Sequence, residues 1–260
     1  MNAKFVLTET TKEFFGITLY QIKAVRASDS VEEGELGGWI EKVENLDADG
    51  NAWVYGNAQV SGNAQVSGNA QVSGNAQVYG NAQVYGNAWV YGNAWVYGNA
   101  WVYGNAWVSG NAWVYGNARV YGNAQVSGNA QVYGNAQVYG NAWVSGNAWV
   151  YGNAQVSGNA QVSGNARIET RRHVAWFSSV GSENGTLTAY TIKTGEIEVT
   201  RGCFRGTLEQ FETAVNNRHD GNRHADEYLV LIQYIRLRFR EVTVTVENVD
   251  DQPIPYQLTE

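Results

Sequence analysis

Hydrophobic and polar positions repeat with a period of six residues through the middle of the chain. From residue 50 to residue 169 the unit Gly-Asn-Ala-x-Val-x recurs without a gap, giving 20 copies, the last with Ile168 in place of valine. A helix does not fit, because six is no multiple of 3.6 and one glycine per unit costs about 1 kcal/mol relative to alanine. Disordered low-complexity sequence would not keep a valine at every sixth position. The period therefore predicts a short strand and a corner in every unit.

Alternation within the unit predicts which side chains form the core. Neighbouring side chains of a strand point to opposite faces, so alanine and valine, two residues apart as in Ala52 and Val54, share the inside. The residues before and after valine point outward. Gly-Asn then forms the corner, because glycine adopts any backbone region and asparagine is among the few other residues that enter the left-handed one.

The unit resembles the hexapeptide repeat of left-handed parallel β-helices, in which an aliphatic residue begins each unit and a small residue follows four positions later. It is also similar to uncharacterised repeat proteins of phages and prophages, some of them labelled polymer-forming or cytoskeletal. The resemblance covers residues 50–169. It implies a mainly β, three-sided solenoid with 18 residues per coil and between six and seven coils.

The first 49 residues predict a small N-terminal β cap. Two strand-like segments, Lys4–Thr8 and Ile17–Arg26, are followed by Ile40 and then, six residues later, by Leu46, which predicts a degenerate first coil. A solenoid needs such an atypical end, because an open coil exposes unpaired strand edges and core. This segment also looks like the leader of the same phage-type proteins.

Residues 170–260 predict a C-terminal α+β domain. A capping box at Thr207 predicts a helix that begins there, and a second helix is expected from about Ala225 to Leu237. The expected strands are His173–Ser178, Thr186–Ile192, Glu196–Thr200 and Val242–Val246. Residues 202–211 resemble a small module of unknown function found at the ends of phage proteins.

Composition and charge narrow the functional classes. The formal net charge of −7 argues against a nucleic-acid binder that neutralises phosphates. One cysteine fits a reducing compartment, and the N-terminus lacks the basic and apolar regions of a signal peptide. No apolar run approaches the roughly 20 residues of a membrane helix. We therefore expect a cytoplasmic protein, or one in the host cytoplasm if a phage encodes it.

Few residues could support catalysis or metal binding. The repeats contain no His, Cys or Asp and a single terminal Glu, whereas a zinc site needs three or four such ligands. The flanks contain His173, His219 and His224. The last two lie in a polar segment between the two expected helices and could contact a metal or phosphate, but a solvated loop is the favoured interpretation. Cys203 could be a nucleophile, although a small buried hydrophobe is favoured. We expect no enzyme, no cofactor and no metal.

The outward positions carry ladders of aromatic residues. At 18 residues per coil, the residues after valine define three faces, named here the long tyrosine face, the short tyrosine face and the serine face. The serine face has mainly Ser at this position, interrupted by Tyr91. A tryptophan belt precedes valine in five consecutive units, and Trp53, Trp143 and Trp149 lie outside it. The candidate partner-binding residues are Trp89, Trp95, Trp101, Trp107 and Trp113, then Tyr79, Tyr97, Tyr115, Tyr133 and Tyr151 (long tyrosine face), and Tyr85, Tyr103, Tyr121 and Tyr139 (short tyrosine face).

These ladders allow two interpretations. Rings in register could simply stabilise the rod, at roughly 0.2–1 kcal/mol per cross-strand pair. Alternatively, so much exposed aromatic surface marks an interface, with the tyrosine faces favoured over the serine face. We expect a non-enzymatic structural or interaction protein that self-associates or binds a protein partner; the resemblance to phage proteins implies a host protein, such as a defence enzyme. The alternative is a polysaccharide- or small-ligand-binding module with its site in the C-terminal domain.

Overall fold

A computed structural model describes residues 3–244. The repeats form a three-sided β-solenoid of about seven turns, with one two-residue strand per hexapeptide, numbered β4 to β23 along the chain. On the long tyrosine face these strands are Gln59–Val60, Gln77–Val78, Trp95–Val96, Trp113–Val114, Gln131–Val132, Trp149–Val150 and Arg167–Ile168. On the short tyrosine face they are Gln65–Val66, Gln83–Val84, Trp101–Val102, Arg119–Val120, Gln137–Val138 and Gln155–Val156. On the serine face they are Trp53–Val54, Gln71–Val72, Trp89–Val90, Trp107–Val108, Gln125–Val126, Trp143–Val144 and Gln161–Val162.

Each strand pairs in parallel with the strands one coil before and one coil after it. The predicted register of 18 residues is confirmed, since Trp89 pairs with Trp107 and Trp95 pairs with Trp113. The backbone hydrogen bonds between coils continue through the corners, where the Asn87 amide donates to the Gly104 carbonyl at 2.7 Å. Corner asparagines add a side-chain ladder, as in Asn87 Nδ2 to Asn105 Oδ1 at 3.0 Å. Backbone polar groups are therefore paired around the whole coil.

The core is a column of alanine and valine. Every repeat alanine and valine exposes 1 % or less of its surface, as the alternation predicts. The glycine that opens each corner has a positive φ, for example +69° at Gly98, where residues with a Cβ are strained. The same small core lies under all three faces. The faces therefore differ only in their outward side chains.

The N-terminal cap extends one side of the solenoid. Strands β1 (Phe5–Phe14), β2 (Ile17–Ala24) and β3 (Leu36–Ile40) form an antiparallel sheet, and β3 then pairs in parallel with Gln59–Val60. A short 3-10 helix, Val43–Asn45, precedes Leu46, which bridges to Val66. Ile40, Leu46 and Val54 thus form the first coil. The degenerate coil predicted from Ile40 and Leu46 is confirmed.

The C-terminal region closes the other end. A 3-10 helix (Arg171–His173) leads into a four-stranded antiparallel sheet of β24 (Val174–Val180), β25 (Gly185–Thr191), β26 (Ile197–Arg201) and β27 (Phe204–Thr207). Its strand β25 lies over the last coil, and the Thr200 hydroxyl donates to the Gln161 carbonyl at 2.8 Å. Helices α1 (Leu208–His219) and α2 (Arg223–Phe239) pack on this sheet.

The predicted α+β architecture is confirmed, with differences in detail. Thr207 caps α1 as expected: its hydroxyl accepts from Gln210 N at 3.3 Å, and Gln210 Oε1 accepts from Thr207 N at 2.9 Å. Strand β27 was not predicted. The strand expected at Val242–Val246 is wrong for residues 242–244, which have no regular structure, and its other two residues lie outside the described part of the chain.

Candidate interaction surface

The long tyrosine face carries a continuous stack of five rings. Successive ring centroids from Tyr79 to Tyr151 lie 4.8–5.2 Å apart, with planes within 10° of parallel. The expectation that all these rings lie on the surface is wrong for Tyr79 and Tyr151, which expose only 5 % and 4 %. Burial, and secondarily the neighbouring tyrosines, raise the pKa of Tyr97 far above its usual value. The two ends of this ladder are therefore buried, whereas Tyr97, Tyr115 and Tyr133 between them are half-buried.

The short tyrosine face has a similar ladder with a cation beside it. Tyr85, Tyr103, Tyr121 and Tyr139 stack at 4.8–5.0 Å. The Arg119 guanidinium lies 4.9 Å from the centroid of Trp101 in the preceding coil, within cation–π range. On the long tyrosine face, Arg167 covers Trp149 in the same way at 4.0 Å.

The serine face presents the most exposed indoles among residues 3–244. Trp89, Trp107 and Trp143 expose 41 %, 39 % and 49 % of their surface, whereas Trp95, Trp101 and Trp113 are half-buried. Trp89 and Trp107 stack at 5.5 Å with planes 8° apart. The serine face therefore exposes more indole surface than the two tyrosine faces, which were expected to be the favoured interface.

Two flanking positions decide how far an indole is covered. One is the residue after valine in the same strand, as Tyr103 beside Trp101 at 6.5 Å. The other is the equivalent residue one coil earlier, as Tyr85 against Trp101 at 6.3 Å. Half-buried indoles have tyrosine at both positions.

The serine-face indoles lack one or both of these tyrosines. Trp89 and Trp107 have Tyr91 on one side and a serine on the other, and Trp143 has Ser127 and Ser145. Their exposure rises from about 40 % with one tyrosine to 49 % with none. Because serine ends at its hydroxyl, it cannot reach across the indole.

Trp53, the first indole of the serine face, is fully buried. Phe5 of strand β1 packs edge-on against it, with ring centroids 6.3 Å apart. Nearby, the buried Lys4 ammonium donates to the Ala52 carbonyl at 2.7 Å. The N-terminal cap thus covers this end of the serine face.

The other candidate chemical residues are separate from these ladders. His173 is buried, and its ring nitrogens contact the Thr170 hydroxyl at 2.8 Å and the Thr243 carbonyl at 3.0 Å, which indicates a structural role. The His219 and His224 rings lie 5.8 Å apart. Cys203 is exposed, so the expectation of a small buried hydrophobe is wrong. Within residues 3–244 no three His, Cys, Asp or Glu side chains group as metal ligands, and no helix is long and apolar enough to span a membrane.

Comparison with known families agrees with this architecture. A family model described as YdcK Beta solenoid repeat matches ten segments, at residues 58–74, 64–80, 70–85, 76–92, 82–98, 94–110, 100–116, 112–128, 130–146 and 136–152. No curated protein matches the chain significantly. The matched segments and the parallel coils together identify a β-solenoid repeat protein.

Proposed function

We propose that the chain is a non-enzymatic interaction rod whose serine face docks a protein partner. The observation that carries this proposal is the exposure of Trp89, Trp107 and Trp143, at 39–49 %, on a rod whose other indoles are half-buried or buried. Tryptophan is enriched among the residues that dominate binding energy at protein interfaces. No charged residue occupies the outward positions of this face between residues 71 and 163.

The exposed indoles would supply a substantial part of the binding free energy. At about 40–50 % exposure of a side chain that can bury 150–250 Å², the three indoles together offer about 300 Å² of apolar surface. At about 25 cal/mol per Å², burying it is worth about 7 kcal/mol before the entropic cost of association. Because association costs about 4–15 kcal/mol, the indoles alone would support only weak binding, and contacts beyond them must supply the rest.

The size of the face favours a different protein over a second copy as partner. From Gln71 to Gln161 there are five coil steps, or about 24 Å, and one face is about 13 Å wide. The flat area of about 300 Å² is well below the roughly 800 Å² per partner of a stable complex. Two rods meeting on this face alone would associate weakly. We therefore infer a partner with a neutral, amide-rich and apolar surface that also wraps over a corner.

The identity of the partner is proposed from resemblance alone. The similarity of the repeats to those of phage and prophage proteins supports a host protein, such as a defence enzyme, as the target, and the host cytoplasm as the location. The repeat architecture supports this role, because each coil contacts only its neighbours and the length of the rod is adjustable.

Matched sets of tryptophan variants test the proposal. The serine-face variant replaces Trp89, Trp107 and Trp143 by Gln, which already occupies the same position in other coils. The control replaces Trp95, Trp101 and Trp113 by Gln. Wild type and both variants are immobilised, bound host proteins are identified, and each purified candidate is titrated by calorimetry.

We expect the serine-face variant to lose binding and the control to retain it. Equal affinity of all three proteins for every candidate would refute the proposed surface. Light scattering tests whether the partner is instead a second copy of the chain. A wild-type dimer that becomes a monomer in the serine-face variant would identify that second copy as the partner.

A further inference from the structure

A small cleft opens in the C-terminal domain, away from the tryptophan surface. It lies between the turn joining β24 to β25, the turn joining β26 to β27, and helices α1 and α2, and its volume is about 200 Å³. Small-molecule sites are usually concave and mostly apolar with a few polar groups, and the lining of this cleft has that form. Nothing in the proposed docking function uses this cleft.

The floor of the cleft is apolar and aromatic. The Phe204 and Phe211 rings have centroids 5.2 Å apart, and Tyr228 meets Phe211 edge-on at 5.3 Å. Phe211 and Tyr228 are buried, so their positions are fixed by the domain core. A ligand resting on this floor would contact ring surface and not water.

The wall of the cleft is cationic. Arg201 is held in place because its Nη2 donates to the Val180 carbonyl at 2.8 Å. Its Nε is buried, so a ligand in the cleft would be held through the terminal guanidinium nitrogens. Arg218, in the last turn of α1, is exposed and forms no ion pair with a described residue. Glu183 is the single acidic residue lining the cleft.

Arg218 also complements the partial negative charge at the carboxyl end of α1. This interaction does not explain Arg201, which lies at the end of strand β26 and not on the helix. The two guanidinium groups outnumber the one carboxylate, so the cleft favours an anion.

We propose that this cleft binds a small organic anion, with a carboxylate or phosphate held by Arg201 and Arg218 and an apolar body on the phenylalanine floor. A cavity of about 150 Å³ holds benzene, so a cleft of about 200 Å³ would take a single ring with one small charged group. Guanidinium groups suit carboxylates and phosphates because they present parallel N–H donors.

Cys203 supplies a reporter for binding. It lines the cleft, is exposed, and is the single cysteine of the chain, so its alkylation by iodoacetamide can be followed by mass spectrometry on the full-length protein. The probes are benzoate, benzamide, acetate and phenyl phosphate. Benzamide matches benzoate in size without the charge, and acetate has the charge without the ring.

We expect millimolar benzoate or phenyl phosphate to slow alkylation of Cys203 several-fold, with much weaker protection by benzamide and acetate. Arg218→Gln should raise the benzoate concentration for half-protection about tenfold, as expected for a lost charge-assisted hydrogen bond. The matched control is Arg240→Gln, which removes an exposed arginine that does not line the cleft. Arg201→Lys keeps the charge but loses the planar set of parallel N–H donors, and it should also weaken protection.

Equal protection by benzoate and benzamide would overturn the anion site and leave only an apolar crevice. Equal effects of Arg218→Gln and Arg240→Gln would overturn it as well, since general electrostatics would then explain the result. Absence of protection by both benzoate and phenyl phosphate rejects the proposal. If Arg201→Lys fails to fold, the result for Arg218→Gln alone decides between the outcomes. Arg218 is exposed, so its replacement should not disturb folding.

Discussion

The corner glycines occupy the same position of the hexapeptide but differ in how closely the next coil approaches them. At Gly98 an added Cβ would lie 3.0 Å from Gly116 N and 3.2 Å from Gly116 O. At Gly56 the same Cβ would meet nothing within 4 Å. The φ angles are similar, +69° and +57°. Replacing each glycine by alanine therefore separates backbone strain from contact between coils.

The expected costs follow from these geometries. An alanine held in the left-handed region should lower the free energy of unfolding by about 1–2 kcal/mol at either position. At Gly98 the neighbouring atoms belong to backbone and cannot rotate away, so one coil must shift against the next, as in an overpacked core that loses about 1–3 kcal/mol more. We expect Gly56→Ala to lower the free energy of unfolding by about 1–2 kcal/mol and Gly98→Ala by about 2–5 kcal/mol.

Urea unfolding measures both costs. Tryptophan fluorescence and far-ultraviolet circular dichroism should give coincident transitions, which is the condition for a single free energy of unfolding in a repeat protein. Equal losses for Gly98→Ala and Gly56→Ala would refute the reasoning. The glycine would then be needed for its φ angle alone, and the approach of the coils would carry no cost.

Two further predictions concern titration. Burial raises the pKa of Tyr97 above its usual 10, so its stabilising contribution is intact below pH 10 and is lost above it. The free energy of unfolding should therefore fall above pH 10, and it should fall less steeply in Tyr97→Phe. Urea titrations at several pH values measure both profiles. Burial lowers the pKa of Lys4 from 10.5 to about 8, so the folded state releases this proton at a lower pH than the unfolded state. The free energy of unfolding should therefore rise between pH 8 and 10.5, by up to roughly 3 kcal/mol. Lys4→Met should abolish that rise, and an unchanged pH profile in this variant would contradict the prediction.

The core was predictable because the repeat removes ambiguity about register. A period of six with three units per coil places residue i over residue i+18, and the pairing of Trp89 with Trp107 follows directly. Alternation then places alanine and valine inside on every face. These predictions depend only on local geometry and chain periodicity.

The exposure of individual rings was not predictable from the same pattern. Trp53 and Trp89 occupy identical positions of the unit, yet Trp53 is buried because Phe5, from a distant strand, covers it. Tyr79 and Tyr151 are likewise more buried than the tyrosines between them. A signal for the indoles was present in the sequence, since Ser or Tyr at the flanking positions can be read by counting in steps of 18.

The C-terminal domain shows the same division between local and tertiary information. The capping box at Thr207 correctly marked the start of α1, because that motif acts within one helical turn. Strand β27 escaped detection because Phe204–Thr207 contains Arg205 and Gly206 and lacks alternating apolar residues. The cleft beside it depends on contacts between four elements, so its residues are scattered through the chain.

Under the proposed docking function, recognition would be encoded outside the core of the rod. All three faces share the same alanine and valine column, and the main chain is paired around every coil, so neither can distinguish one face from another. The residue before valine supplies an indole, and the residue after valine decides whether that indole is covered. Tyrosine on both sides yields a packed ladder, whereas serine on both sides leaves Trp143 almost half exposed. We therefore expect an exchange of serine and tyrosine to move the exposed indole surface from one face to another without altering the fold, because the alanine and valine core stays the same.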